Sequence, residues 1–448
     1  MIAWAAATTG QDARRTNEQL TRDLAIAQAQ QALAQAHLAN APPETIAALE
    51  QKLADAQTMP LLSYSQYGRQ FTNWDGYRYE EIAEKGYLYH QPTDPPEVRD
   101  DSGMILPGWP ERRLKNVSWY PLYPVMGWCV ARLTGLSVNH SLTAISWISC
   151  ALAALVTFAL TRRRFLAQDP LDAARADAVA FWTLALLLAG PCAIFLYANF
   201  TESLFLLLLA AFLYCLDRRW WWRAALVAAA ASACRSQGVL FGPILALCFL
   251  LRRPIHPPLK SLAIAFVLGA ISGIGIGCYM LYLQIHFHDP LAFMHAQKYW
   301  TVGLGPKQLA TALNPFNALH HIATYATGAQ PGITHGTIDW PRLWEALCLL
   351  WPPIFLILGR RRLSLEFTLI AWILWALPYI SNSHAGSSEE NPSHWMSMGR
   401  FMAVLIPAYF IVAQTFARRP RLALTFLIAW SAAFALFAYK YGTGAWIG

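Results

Sequence analysis

The sequence predicts an all-α fold: a polytopic transmembrane helix bundle with extracytoplasmic loops and interfacial helices. Three observations carry this. Of 448 residues, 56% are hydrophobic and only 13% charged, where an ordinary soluble domain carries about 25% charge. The apolar residues fall into runs near the length that crosses a bilayer. Short basic clusters separate those runs, as the positive-inside rule requires of cytoplasmic turns. A mean hydropathy of +0.31 with 19 Trp, 18 Tyr and 22 Phe excludes a disordered chain, a coiled coil and an ordinary cytosolic enzyme. The net charge of +8 then reads as membrane topology, not as a nucleic-acid surface. The eight cysteines sit mostly inside apolar runs with no CxxC pair, so they read as small buried hydrophobes.

The elements follow in order. Residues 1–10 begin with an apolar stretch, Met1–Thr9, that would span only about 14 Å at 1.5 Å per residue. It reads as the remnant of a truncated first transmembrane helix, or else as a frayed terminus. Residues 11–58 are rich in Ala, Gln and Leu, lack Gly, and are broken at Asn40–Pro43. They predict a polar helical hairpin whose second arm starts near Pro43–Glu44. Residues 59–137 form an extracytoplasmic loop. In it Ser118–Leu136 is apolar but interrupted by Pro121 and Pro124, and Trp119, Tyr120, Tyr123 and Trp128 suit the headgroup belt.

Ten spans are then expected: 138–161, 178–197, 198–216, 221–235, 237–251 and 261–283, then, after a large outer loop at 284–341, 342–358, 363–380, 398–417 and 422–439. The basic clusters are Arg162–Arg164, Arg218–Arg219 with Arg223, Arg252–Arg253, Arg360–Arg362, and Arg418–Arg419 with Arg421. An even number of spans separates each successive pair, which puts all five on one side and 1–137, 284–341 and 381–397 on the other.

The strongest chemical signal is Phe71-Thr-Asn-Trp-Asp75-Gly-Tyr-Arg-Tyr79, a carboxylate among aromatics at the outer face. Asp75 either accepts a proton from a hydroxyl nucleophile or caps the helix that follows it. Trp74-Asp75, Tyr79, Ile82-Ala83 and Gly86-Tyr87 resemble the PIG-V-like mannosyltransferases of the GT-C superfamily. Trp119-Tyr-Pro-Leu-Tyr-Pro124, Asn199-Phe-Thr-Glu-Ser-Leu-Phe205, Ala233-Cys-Arg235-Ser-Gln-Gly238 and Ser397-Met-Gly-Arg-Phe401 resemble further motifs of that family, in the same order. Gly399 departs from the Pro expected there, and the 11–58 hairpin is an unusual insertion.

The resemblance implies a GT-C type bundle and an inverting hexosyltransferase. It would move a sugar, mannose by family expectation, from a polyprenyl-phosphate donor to a hydroxyl of an unidentified glycan, lipid or protein. Asp75 would then be the catalytic base. Arg400 and Arg235, both at outer ends of spans where topology needs no cation, would bind the donor phosphate; the bland alternative is snorkelling to lipid phosphate. Trp74, Tyr79, Tyr123, Glu202 and Ser203 are the candidates for contact with substrate. Glu202 equally suits a partner for Arg235 or a first-turn acid favoured by the helix dipole, and Tyr79 equally suits the aromatic belt. Lys298 and Lys307 are weaker cationic candidates.

No cofactor is expected. The histidines His286, His288, His295, His320, His321 and His335 cluster outside, and His286-Phe-His288-Asp289 is the one run that suits a divalent metal, but its spacing suits a loop equally well and no HExxH motif is present. Gly269, Gly273 and Gly277 read as helix-packing small residues. Without a strand–turn–helix context they are not a nucleotide loop. The rival functions are a transporter or flippase of a lipid-linked glycan, which should show internal repeats, and a non-catalytic assembly subunit encouraged by the hairpin.

Overall fold

The computed structural model describes all residues except 40, 59–68, 89–115, 253–256, 298–303, 328–339, 384–394, 396, 446 and 448. The described residues form helices and short 3-10 turns, with no strand among them. The chain opens with two long polar helices, α1 (Ile2–Leu38) and α2 (Pro43–Thr58), followed by the short α3 (Asp75–Lys85) and α4 (Leu122–Thr134). The bundle proper starts with α5 (Val138–Leu166), α6 (Ala173–Leu188), α7 (Glu202–Asp217), α8 (Trp221–Cys234), α9 (Phe241–Leu251), α10 (Pro258–Ser272) and α11 (Ile274–Phe287). Three short helices follow: α12 (Ala292–Gln297), α13 (Pro306–Leu313) and α14 (Pro315–Thr327). The last part of the bundle is α15 (Trp340–Leu347), α16 (Trp351–Leu358), α17 (Leu365–Ser381), α18 (Met398–Met402), α19 (Ile406–Phe416) and α20 (Pro420–Gly442).

Three segments are long and apolar enough to cross a membrane on their own: Val138–Leu166, Trp340–Leu358 and Pro420–Gly442. The pair α10 and α11, bent by 51° at Gly273, makes a fourth if taken as one span. The protein is thus an integral membrane protein, and several of the candidate spans read from the sequence contain interrupted helices. The stretch 178–216 is the clearest case. Helix α6 stops at Leu188, a 3-10 turn occupies Pro191–Leu196, and α7 begins only at Glu202. Pro191 follows Gly190 at the break, where it can start a new turn but cannot continue α6. Similar interruptions fall at 235–240, between α8 and α9, and at 403–405, between α18 and α19. Irregular backbone at such depth is tolerated only where protein surrounds it, and Ala193 to Leu196, Gln237 and Val404 to Leu405 are all buried.

The main core joins α5, α7, α8 and α9 to α17, α19 and α20, with Phe195, Phe200, Phe205, Phe212 and Phe241 fully enclosed. Acidic partners hold two of the basic clusters. Arg162 pairs with Asp177, Arg163 and Arg164 share Asp217, and Arg252 pairs with Glu366. In the same region Gln168 donates to the Arg362 carbonyl.

The apolar start and the first hairpin arm are one continuous helix, with no break between residues 10 and 11. It crosses the C-terminal end of α20 with backbone touching backbone. A Cβ on Gly10 would lie 2.0 Å from the Tyr439 carbonyl oxygen, and one on Gly442 would lie 2.1 Å from that of Ala7. Ala3, Ala7 and Gly10 are the buried residues of α1; its remaining length packs against α2.

Candidate active site

The candidate site is built around the strap 69–74 that leads into α3. Phe71, Thr72 and Asn73 are buried, and each is held by a neighbour from a distant part of the chain. The Phe71 carbonyl accepts from the Asn199 backbone N–H at 2.9 Å and from the Tyr441 hydroxyl at 3.1 Å. The Thr72 hydroxyl oxygen accepts from the side-chain amides of Asn139 at 2.5 Å and Asn199 at 2.8 Å. Thr143 in turn donates to Asn199 Oδ1 at 2.7 Å. Asn73 donates its amide N–H to the Tyr441 hydroxyl at 3.1 Å and its side-chain NH₂ to the Tyr441 carbonyl at 2.7 Å. The strap is therefore clamped between α5, the turn before α7, and the end of α20.

Trp74 follows with φ +54°, a left-handed conformation that a bulky side chain adopts only under constraint. That turn ends the strap and starts α3 at Asp75. Trp74 is the N-cap and makes no side-chain cap bond. Asp75 is therefore the first helical residue and not the cap, which corrects the capping alternative; its carboxylate points instead at Arg400.

Four charges lie in a row. Asp75 Oδ2 accepts from Arg400 Nη1 at 2.5 Å, Arg400 Nε donates to Glu202 Oε1, and the same oxygen accepts from Arg235 Nη1 at 2.5 Å. Glu202 is fully buried, while the Asp75 side chain keeps 24% of its surface open. Two anions and two cations balance, which is what allows them to lie out of water. The guanidinium of Arg400 stands 4.7 Å over the Phe200 ring and that of Arg235 4.7 Å over Phe401, so aromatic faces cover what carboxylates do not. Arg400 Nη2, and Nε and Nη2 of Arg235, donate to no described residue. Glu202 Oε2 and Ser203 Oγ are likewise buried with no partner among the described residues.

Each charge comes from a break in the helices. Glu202 opens α7 after the 189–201 interruption, Arg235 ends α8 with extended backbone, and Arg400 lies in the five-residue α18. Glu345 fixes that last element, accepting from the Ser397 N–H at 2.7 Å. Ser397 itself has φ +70°. Gly399 is required there, because a Cβ would sit 2.7 Å from Cys192 Sγ and 3.1 Å from the Trp344 ring.

The aromatic candidates divide. Tyr79 is buried one turn after Asp75, donates to the Thr201 hydroxyl at 3.4 Å and meets the Tyr123 ring edge-on at 5.2 Å. Burial, and next the Asp75 carboxylate, push its phenol above the ordinary range, so it stays an O–H donor. Tyr123 is wholly enclosed; its hydroxyl donates to the Leu142 carbonyl at 2.9 Å and lies 2.7 Å from Ser146 Oγ. Its polar edge is spent on α5, which corrects the expectation of substrate contact: Tyr123 backs Tyr79. Trp74 is about half exposed beside Asp75.

Of the remaining candidates, Lys298 and His335 lie outside the described residues, as does the side chain of Lys307. His295 Nδ1 pairs with Asp289 at 2.8 Å. Among the described residues no three His, Cys, Asp or Glu side chains gather as a metal would need.

No family model matches the chain, and no curated protein matches it. Among solved structures it is similar to the oligosaccharyltransferase of Archaeoglobus fulgidus. Against the apo form the identity is 15%, the TM-score 0.43, and 86% of this chain aligns with 55% of that one. Against the form tethered to an acceptor peptide containing the NVT sequon the identity is 15% and the TM-score 0.38, with 83% and 51% aligned. The chain thus spans about half the length of these proteins.

Sequence reasoning missed the neutral anchors. Asn139 stands in none of the resemblance motifs, and Tyr441 follows the last apolar run. Amides and phenols near a membrane surface carry no patterning signal.

Proposed function

We propose that the protein is a membrane glycosyltransferase of GT-C type. It transfers a sugar from a polyprenyl-phosphate donor to an acceptor hydroxyl at the extracytoplasmic face. What carries the reading is the partly open Asp75 carboxylate held against Arg400 in a balanced four-charge cluster. The acceptor O–H donates to Asp75, its oxygen bonds to the anomeric carbon from the face opposite the phosphate, and the sugar C–O(phosphate) bond breaks. The phosphate keeps the electron pair and Asp75 keeps the proton. A carboxylate with one oxygen committed to Arg400 and the other open is placed to orient the nucleophile and to take the proton late. The N–H groups of Arg400 and Arg235 that meet no described residue are suited to the charge growing on the departing phosphate. Exposed Trp74 offers a ring face to a sugar, and mannose is the sugar implied by the motif resemblance.

The test is Asp75→Asn, with radiolabelled polyprenyl-phosphate sugars supplied to membranes containing the full chain. The expected result is loss of transfer with expression retained and a loss of thermal stability smaller than that of Glu202→Gln, because Asp75 keeps part of its surface in water. Full transfer by the variant would remove the proposal, and an unaffected cellular phenotype would favour a transporter or scaffold.

A further inference from the structure

We infer that Tyr441, at the far end of the last helix, is a positioning residue for Asp75; the inference rests on the transferase reading. Tyr441 is fully buried and lies 368 residues from the strap in sequence, yet it makes three contacts with it. Its hydroxyl accepts from the Asn73 N–H and donates to the Phe71 carbonyl, and its own carbonyl accepts from the Asn73 side chain. One phenol thus satisfies a donor and an acceptor two residues apart. Between them they set the turn that forces Trp74 to φ +54° and places Asp75 at the start of α3.

The phenol ring is independently seated. Phe195 and Phe200 meet it edge-on at 6.0 and 6.2 Å, and Phe200 is also the ring under the Arg400 guanidinium. Both partners of the Asp75–Arg400 pair are therefore referenced to the same residue. The backbone around it is fixed in turn by the α1 crossing at Tyr439 and Gly442.

Removing the hydroxyl alone leaves ring packing intact but unhooks two backbone groups of the strap. An ångström of drift at a reacting carboxylate costs about 100-fold in rate. In Tyr441→Phe, kcat should fall by about 10- to 100-fold with the donor KM within about twofold, because the phosphate-binding arginines are untouched. Amide hydrogen exchange of the full chain in nanodiscs supplies a readout independent of activity. Exchange across 71–75 should quicken about tenfold or more in Tyr441→Phe, while α5 and α7 stay protected. Asn73→Ala removes the separate bond from the Asn73 side chain to the Tyr441 carbonyl while the Asn73 N–H stays on the hydroxyl; it should also quicken exchange across 71–75, and the double variant should be worse than either. Unchanged exchange across 71–75 in both single variants, or a Tyr441→Phe enzyme with full kcat, overturns the inference. If the wild type transfers no sugar from any donor offered, the functional reading falls while the exchange experiment still decides whether Tyr441 fixes the strap.

Discussion

Glu202→Gln is the sharpest perturbation of the charge cluster. The fully buried carboxylate neutralises two guanidiniums through one oxygen. At an effective dielectric near 20, each such attraction is worth about 4 kcal/mol at 4 Å. The amide removes the charge but not the acceptor, and Arg400 still keeps Asp75, so the uncompensated cation is chiefly Arg235. Breaking a buried pair from one side costs about 3–5 kcal/mol, and the retained Asp75 contact puts this case near 3. The control is Arg162→Ala, whose pair with Asp177 is 41% and 52% exposed; screening limits its cost to less than about 1 kcal/mol. Reversible unfolding of both variants in mixed micelles, titrated with a denaturing detergent, gives the comparison. A Glu202→Gln protein no less stable than Arg162→Ala would refute the view that the cluster is held by mutual neutralisation.

Other expectations follow from the same geometry. Arg400→Lys should lower transfer by about 100-fold, because one ammonium cannot serve Asp75 and Glu202 as Nη1 and Nε do; steady-state rates against donor concentration measure it. Burial raises the Tyr79 phenol above its ordinary value near 10, so its contribution to stability is intact below about pH 10 and is lost as pH climbs through the raised value. Unfolding measured between pH 7 and 11 should be flat and then fall, and Tyr79→Phe should soften the fall. Gly399→Ala should cost about 1–3 kcal/mol through the clash with Cys192 Sγ. Adding Cys192→Ala should recover part of that loss in a double-mutant cycle.

The bundle was legible where composition speaks and silent where it does not. Val138–Leu166 and Pro420–Gly442 stand close to the spans expected, since a long apolar run bounded by arginines has few other solutions. Residues 178–216 read as two adjoining spans because the stretch stays apolar across the break; only Gly190–Pro191 marked it. Glu202 suits a partner for Arg235 on the sequence alone because a charge inside an apolar run is costly and needs a partner; Asp75 joins them through Arg400, which no sequence spacing shows. Asn139, Asn199 and Tyr441, which seat the strap, bear no charge, and nothing in their spacing says that residues 72 and 441 meet.

That meeting has a consequence for biosynthesis. The segment bearing Asp75 leaves the ribosome well before its seat is complete, because the tyrosine that completes it is made 368 residues after Asn73. A nascent chain can insert most of its helices and still hold an unfinished centre. A product arrested before Tyr441 would carry its strap without the hydroxyl and the carbonyl that hold residues 71 and 73.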